Sequence, residues 1–211
     1  MSDIYEESIQ FHRDHKGKLE SKSKVPLKTR KDLSLAYTPG VGAVSKEVAA
    51  HPQEAYALTL KGNTVAIISD GSAVLGLGNL GALGAIPVME GKAILFKGFG
   101  GIDGWPICLD TQDTEEIIKT IKYIAPVFGG INLEDISAPR CFEIERRLQK
   151  ELDIPVMHDD QHGTAVVVLA GLINSIKLRG ISKEKVKIIV NGAGAAGTAV
   201  VKILADYGFK H

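Results

Sequence analysis

Apolar runs of strand length alternate with segments of helical periodicity through the middle of the chain, and this alternation restricts the possible folds more than any other feature. Strands are predicted over 64–69, 106–109, 128–133 and 154–157. Helices are predicted after the glycine-rich segment 70–79 toward Val88, over 113–124 with Asp113 as the N-cap, and over 139–152. Strands that alternate with helices build a mostly parallel sheet covered by helices. The sequence therefore predicts an α/β fold.

Two acidic pairs directly follow two of these predicted strands. Glu134 and Asp135 follow strand 128–133, and Asp159 and Asp160 come two residues after strand 154–157 ends. Ligands of open parallel sheets lie outside the carboxyl ends of the strands, so we expect both pairs at one edge of the sheet. Clustered carboxylates repel one another unless a cation or a proton holds them. Because Mg²⁺ and Mn²⁺ prefer oxygen ligands, the pairs predict metal-assisted chemistry.

A second module begins near the end of the chain. Residues 185–190 are apolar and are predicted to form a strand, followed by a glycine-rich turn and a helix over 198–207. This order is typical of the first strand-helix unit of a Rossmann domain, in which the helix N-terminus offers N–H groups to phosphate. The residues predicted to bind a dinucleotide are Gly192, Gly194, Ala195, Ala196 and Gly197.

The boundaries of the domains follow from these patterns. We expect N-terminal helices and a basic arm over 1–31, a mostly parallel sheet domain over 32–163, and a connecting helix with the start of a dinucleotide-binding domain over 164–211. The lysine-rich part of the arm is either solvated or wraps a second subunit. The acidic ribose-binding residue expected about 20 residues after the glycines lies beyond His211, so the choice between NAD and NADP stays open. We therefore expect a fragment or a truncated reading frame.

The composition restricts the partners and the compartment. The chain has 25 basic and 25 acidic residues, so no overall charge favours a nucleic acid or a membrane surface, and we expect a small-molecule partner. Cys108 and Cys141 have no CxxC spacing, and both are interpreted as core residues of a protein from a reducing compartment. Residues 1–10 contain no apolar signal region. The expected location is the cytoplasm.

Several motifs, in order along nearly the whole chain, resemble those of malic enzyme, most closely its small bacterial form. The motifs are YTPGVG at 37–42, DGSAVLGLGN at 70–79, EGK at 90–92, INLED at 131–135 and HDDQHGT at 158–164. The resemblance implies oxidation of malate by NAD or NADP, with loss of carbon dioxide to give pyruvate. It also contributes to the expectation of a homodimer.

The same resemblance implies roles for individual residues. By resemblance, Mg²⁺ or Mn²⁺ is held by Glu134, Asp135 and Asp160. Larger malic enzymes place a substrate-binding arginine in the loop that begins with Asp70, whereas this chain has 72–74 (SAV) there. No residue is therefore assigned to the substrate carboxylate.

The acid and base groups are also assigned by resemblance. Lys92 is the general base for the malate hydroxyl, Tyr37 protonates the enolate at C3, and Asp159 orients Lys92 or a metal ligand. A lysine acts as a base near neutral pH only if its pKa is depressed by burial or by a neighbouring cation.

Two alternative functions remain open at this point. His158 and His162 are four residues apart, as in the HExxH motif of zinc hydrolases, although the preceding strand argues against a helical zinc site. The second alternative is a catalytically inactive module that binds a partner or forms oligomers, because half a nucleotide domain buries little apolar surface.

Overall fold

The centre of the molecule is a four-stranded parallel sheet. A computed structural model describes residues 3–210 of the chain. The strand order is β2-β1-β3-β4, with β1 at Thr64–Ser69, β2 at Asp103–Cys108, β3 at Gly130–Leu133 and β4 at Val156–His158. The predicted α/β fold with a parallel sheet is confirmed.

Helices precede the sheet, connect its strands and follow it. In the part of the chain that the structure describes, the α-helices are α1 Ile4–His15, α2 Arg30–Ala36, α3 Val41–Ala50, α4 Ala55–Leu58, α5 Gly81–Gly100, α6 Thr114–Ile124, α7 Arg140–Glu151, α8 Asp159–Arg179 and α9 Ala195–Tyr207. None of the helices within residues 3–210 has the combined length and apolarity needed to cross a membrane.

The register of the sheet brings the strand ends together. Ile68 of β1 pairs with Leu133 of β3, and Leu133 pairs with His158 of β4. Because all these strands are parallel, their carboxyl ends lie at the same edge. The residues that follow β1, β3 and β4 therefore meet there, which is the position predicted for the acidic pairs.

Apolar side chains cover both faces of the sheet. On one face, α6 and α7 contribute fully buried Ile117, Ile121, Ile144 and Leu148 to the main core. On the other face, α5 packs Met89 and Ala93 against Ile67 of β1. Burial on both faces explains why β1 reads as a continuous apolar run.

Helix α6 begins with the predicted N-cap. The side-chain oxygen Oδ1 of Asp113 accepts a hydrogen bond from the Glu116 amide, so this prediction is confirmed.

Several predicted element boundaries are wrong by a few residues or more. Strand β2 begins three residues before the predicted start at Pro106, and β4 ends at His158. Helix α5 continues well past Val88, although Pro87 lies inside it. Helix α2 contains residues 31 and 32 and α8 contains residues 163 and 164, and the domain boundaries predicted at these positions stay predictions. Helix α5 continues through Pro87 because the packing of α5 on the sheet outweighs the loss of the backbone donor that proline lacks.

The strand predicted over 185–190 is not formed. Lys183–Lys185 is a single 3₁₀ turn, and residues 186–190 have no strand pairing. A β-strand needs a neighbouring strand to accept and donate its backbone hydrogen bonds, and apolar character alone does not supply one. Val186 and Ile188 instead pack against a small core formed by α8 and α9. The helix of the unit is present, but it begins at Ala195 rather than Thr198.

The N-terminal arm and the cysteines differ partly from expectation. Most of residues 19–29 is exposed, but Lys18 is anchored because its Nζ donates to the Pro87 carbonyl at 2.8 Å and its amide donates to Glu90 at 3.2 Å. Cys141 is fully buried, as predicted for a core residue. Cys108 is only partly buried, because β2 is an edge strand.

Candidate metal centre

Three carboxylates converge at the carboxyl edge of the sheet. Glu134 and Asp135 follow β3, and Asp160 lies in the first turn of α8. One ligand oxygen from each lies within 4.8 Å of the other two. Glu134 and Asp135 are buried at 6% and 3% exposure. The structure thus brings together the three residues that were predicted to be metal ligands.

Backbone and side-chain donors satisfy some oxygens of this cluster and leave one without a partner. The Asp135 amide donates to Asp160 Oδ2 at 2.8 Å, Leu75 N–H donates to Asp135 Oδ1 at 3.2 Å, and Asn132 donates to Glu134 Oε2 at 2.9 Å. Asp135 Oδ2 is buried without a hydrogen-bond partner. Buried polar atoms are nearly always satisfied, so an orphaned carboxylate oxygen beside two other carboxylates fits a hard divalent cation.

The electrostatics of the cluster support the same fit. Burial raises the pKa of Glu134 to about 7, against the opposing effects of Asn132 and Lys92. Burial and the charge of Asp160 also raise the pKa of Asp135 to about 6. Carboxylates that resist ionisation near neutral pH are stabilised in their charged form by a divalent cation, which would offset both burial and mutual repulsion.

Lys92 projects from α5 toward the same cluster. Its Nζ lies 2.7 Å from Asp159 Oδ2 and 3.1 Å from Glu134 Oε1. Burial lowers the pKa of Lys92, but the hydrogen bonds and charges of Asp159 and Glu134 outweigh it, so the pKa is raised. This direction is opposite to the depressed pKa required of a base, because both neighbours are anions. A divalent cation bound to the carboxylates would lower the pKa of Lys92, as a base requires.

Tyr37 is not brought to this cluster. It ends α2, and its side chain is 66% exposed. Within residues 3–210, no hydrogen bond or ion pair links this side chain to the carboxylates or to Lys92. The motif that contains Tyr37 therefore lies outside the assembled centre in this arrangement.

The loop after β1 is held by an ion pair that was not predicted from the sequence. Arg140 Nη2 donates to Asp70 Oδ2 at 2.6 Å, while Ser72 Oγ donates to Asp70 Oδ1 at 2.5 Å and accepts the Ser137 amide at 2.8 Å. Gly71 has φ +67°, and an added Cβ would approach the Gly81 carbonyl oxygen to 2.1 Å. Only glycine fits at this contact with the start of α5, and the hydrogen bond from the Ser137 amide to Ser72 fixes the loop against the residues after β3.

The two histidines of the HDDQH segment face different carboxylates. His158 is fully buried, and its Nε2 lies 3.2 Å from Asp160 Oδ2. Although burial lowers the pKa of His158, its contacts with Asp160 and Cys141 raise it to about 9. His162 Nε2 lies 2.8 Å from Glu145 Oε1. Asp159 to His162 are helical, but the metal-ligand group found within residues 3–210 contains no histidine.

The glycine-rich turn leads into α9, but residues 186–190 before it do not form the strand that the dinucleotide prediction includes. Gly192 has φ +117°, and Gly194 is the N-cap of α9 with no side chain bonded to the helix end. A Cβ on Gly197 would lie 2.1 Å from the Gly192 carbonyl oxygen. Gly197 is therefore needed for the close contact between the two ends of the turn, and not for packing of the helix on a strand. The uncapped N–H groups at Ala195 and Ala196 are available for an anion.

Comparison with known protein families gives two matches along the chain. The N-terminal domain of malic enzyme matches residues 16–149, and the NAD-binding domain of malic enzyme matches residues 161–210. The first match contains the loop after β1, Lys92 and the residues after β3. The second match begins next to Asp160 and extends through the glycine-rich turn and α9.

Individual relatives agree with these matches. The NAD-dependent malic enzyme of Geobacillus stearothermophilus is 63% identical over 92% of this chain and 41% of its own length. The NADP-dependent malic enzyme of Rhizobium meliloti is 50% identical over 97% of this chain and 27% of its own length. The crystal structure of NAD-dependent malic enzyme from Thermotoga maritima has a TM-score of 0.94 and 54% identity, covering 97% of this chain and 54% of that one. The chain thus spans about half the length of these relatives, or less.

Proposed function

Because the chain belongs to the malic enzyme family, we propose that it contributes the metal-binding and acid–base groups for oxidative decarboxylation of malate to pyruvate and carbon dioxide, with reduction of NAD or NADP. The observation that carries this proposal is the convergence of three carboxylates with Lys92 at one edge of the sheet. Such a centre suits a small anionic hydroxy acid, because its carboxylate and hydroxyl oxygens can complete an open metal coordination sphere.

Glu134, Asp135 and Asp160 would hold Mg²⁺ or Mn²⁺. When bound, such a cation supplies Lewis acidity that stabilises negative charge on the C2 oxygen of the substrate. The protein contributes rigidity, since backbone amides fix Asp135 Oδ1 and Asp160 Oδ2 in place. The partnerless Asp135 Oδ2 is the oxygen best placed to coordinate.

Lys92 is proposed to take the proton from the C2 hydroxyl while the hydride at C2 leaves for the nicotinamide ring. Asp159 orients Lys92 through the 2.7 Å contact to its Nζ. After carbon dioxide is lost, a proton must be delivered to C3, and Tyr37 is the proposed donor. This role needs a conformation or an assembly in which the exposed Tyr37 ring reaches the cluster. The uncapped N-terminus of α9 is proposed to bind the cofactor pyrophosphate.

Metal binding and acid–base chemistry can be tested separately on Asp135 and Lys92. Mn²⁺ binding to the chain is measured by electron paramagnetic resonance. Exchange of pyruvate methyl protons with D₂O, which needs no nicotinamide, is followed by NMR with Mg²⁺. Asp135→Asn should weaken Mn²⁺ binding by more than the roughly 10–100-fold typical of an outer-sphere residue. Lys92→Ala should leave Mn²⁺ affinity within about threefold and abolish malate-dependent nicotinamide reduction, since it removes the base for the C2 hydroxyl, whereas Tyr37→Phe should abolish the methyl exchange, since it removes the proton donor to C3.

An exposed lysine on α7 provides the matched control. Lys150→Ala should change neither Mn²⁺ affinity nor exchange. Retained malate-dependent nicotinamide reduction in Lys92→Ala would remove the proposed base, and retained methyl exchange in Tyr37→Phe would remove the proposed proton donor. A folded chain that binds Mn²⁺ but shows neither pyruvate exchange nor malate-dependent nicotinamide reduction would support the alternative of an inactive binding module.

A further inference from the structure

Glu145 is a buried carboxylate for which the proposed chemistry gives no role. It lies in α7 at 6% exposure, beside the fully buried Ile144 and one turn before Leu148. Burying an ionised carboxylate in an apolar face is costly unless several donors compensate it. Its partners therefore indicate what the residue does.

All the partners of Glu145 belong to one short segment, 158–162. Glu145 Oε1 accepts the His158 amide at 2.8 Å and lies 2.8 Å from His162 Nε2. Glu145 Oε2 accepts Gln161 Nε2 at 3.2 Å. Glu145 thus contacts the last residue of β4 and two residues in the first turn of α8. Asp160 is in the middle of this segment.

The same segment is held from its other side by contacts to Asp160. Asp160 Oδ2 accepts the Asp135 amide at 2.8 Å and lies 3.2 Å from His158 Nε2. Gln161 Nε2 also lies 3.1 Å from His158 Nδ1. Glu145 fixes the backbone of the strand-to-helix turn, and the Asp135 amide holds one oxygen of Asp160. Asp160 is thereby held with one oxygen within 4.8 Å of ligand oxygens of Glu134 and Asp135.

We propose that Glu145 is a positioning residue that sets the geometry of the divalent cation site through the 158–162 turn. The inference rests on the metal site proposed above. Glu145 acts as a hydrogen-bond acceptor, so a neutral group that retains an acceptor oxygen at the same place should substitute for it. The same geometry predicts a selectivity effect, because Mg²⁺ demands near-ideal octahedral coordination whereas Ca²⁺ tolerates irregular coordination.

The test compares Glu145→Met, which keeps the size of the side chain but removes both acceptors, with Glu145→Gln, which keeps one. Mn²⁺ affinity of the chain is measured by electron paramagnetic resonance, and Mg²⁺ and Ca²⁺ affinities by competition. Glu145→Met should weaken Mn²⁺ and Mg²⁺ by about 10–100-fold, as expected for an outer-sphere residue, and Ca²⁺ by less. Glu145→Gln should stay within about threefold of the unsubstituted chain.

Glu143→Met, on the exposed side of the same helix, is the matched control and should bind like the unsubstituted chain. Circular dichroism establishes that each variant is folded. A folded Glu145→Met with unchanged Mn²⁺ affinity overturns the proposal, and so does an equal loss in Glu145→Gln, which would indicate a need for charge rather than position. If Glu145→Met does not fold, His162→Ala, which removes one partner of Glu145 at a half-exposed position, takes its place: weaker Mn²⁺ and Mg²⁺ binding supports the proposal, and unchanged affinity overturns it. Absence of Mn²⁺ binding by the unsubstituted chain overturns the metal site itself.

Discussion

Asp135 is the residue at which backbone conformation and charge are most closely connected. Its φ is +54°, in the left-handed region that non-glycine residues rarely adopt. Such a conformation costs of order 1–3 kcal/mol and persists only where surrounding contacts enforce it. Here the Asp135 carbonyl accepts Ala73 N–H at 3.0 Å and its Oδ1 accepts Leu75 N–H at 3.2 Å. In this conformation Asp135 Oδ2 is buried without a hydrogen-bond partner.

The raised pKa values of Glu134 and Asp135 predict how metal-free stability depends on pH. Their ordinary pKa values are 4.5 and 3.8, and the folded values are about 7 and about 6. An acid whose folded pKa is raised favours folding below its unfolded pKa, and that contribution is lost as pH rises to the folded pKa. After treatment with EDTA, the free energy of unfolding, and with it the melting temperature, should therefore fall between about pH 4 and pH 7.

Two comparisons isolate this effect in thermal melts. Asp135→Asn removes one of the two titrating groups and should flatten the decline over the same pH range. Mg²⁺ should raise the melting temperature at pH 8, where the carboxylates are ionised, and have little effect at pH 4.5, where they are protonated. A melting temperature that rises from pH 4 to pH 7 without metal would contradict the assigned environment.

The three predicted metal ligands could be expected to meet because their positions depend only on the sheet. Glu134, Asp135 and Asp160 follow strand ends, and parallel strands place those ends together whatever the details of the helices. Glu145 was missed because an acidic residue within a helix is ordinarily solvent-exposed. A signal was nevertheless present, since Glu145 follows Cys141 by four residues and precedes Leu148 by three, which puts it on the apolar face.

At the scale of single elements, local signals were reliable and non-local ones were not. Helix α6 begins where its N-cap Asp113 predicts, because a capping interaction involves only neighbouring residues. The apolar run 185–190 gave an incorrect strand, because strand formation depends on a partner elsewhere in the chain. Helix α5 was underestimated because Pro87 reads as a helix terminator when its packing on β1 is unknown.

The cap of α6 provides a stability prediction. The Asp113 side chain accepts the Glu116 amide at 2.9 Å. Asp113→Ala should lower the free energy of unfolding by about 1 kcal/mol, with a range of roughly 0.5–2 kcal/mol. Asp113→Asn keeps an acceptor and should retain most of the stability in urea unfolding. Equal destabilisation by the two substitutions would show that charge, and not the capping hydrogen bond, is responsible.

At the scale of the whole molecule, the sheet domain and residues 187–210 differ in how completely their apolar side chains are buried. The sheet domain has buried side chains on both faces of β1. Around the glycine-rich turn, Ile189 is 82% exposed and Val201 is 51% exposed. Exposed apolar residues at the predicted edge of a nucleotide module indicate a surface that needs a further part of the protein or a second copy. The homodimer therefore stays a prediction.

Amide hydrogen exchange tests this difference. Within residues 3–210, the amides of 187–193 donate no backbone hydrogen bond, whereas those of β1 lie in a sheet with partners on both sides. At low protein concentration, 187–193 should exchange within seconds and β1 only on global unfolding. Protection of 187–193 that appears as concentration rises would support a covering second copy. Protection at every concentration would contradict the unpaired conformation.

The parallel register has one more consequence, for how cation affinity arises during folding. The proposed ligands follow β3 and β4, and the loop that fixes Asp135 follows β1, so each contribution depends on a different strand having reached its place. No single hairpin, helix or contiguous peptide of this chain reproduces that arrangement. Affinity for a divalent ion should therefore appear in one step, together with the native topology. Mn²⁺ uptake can accordingly serve as a stopped-flow probe for completion of the sheet.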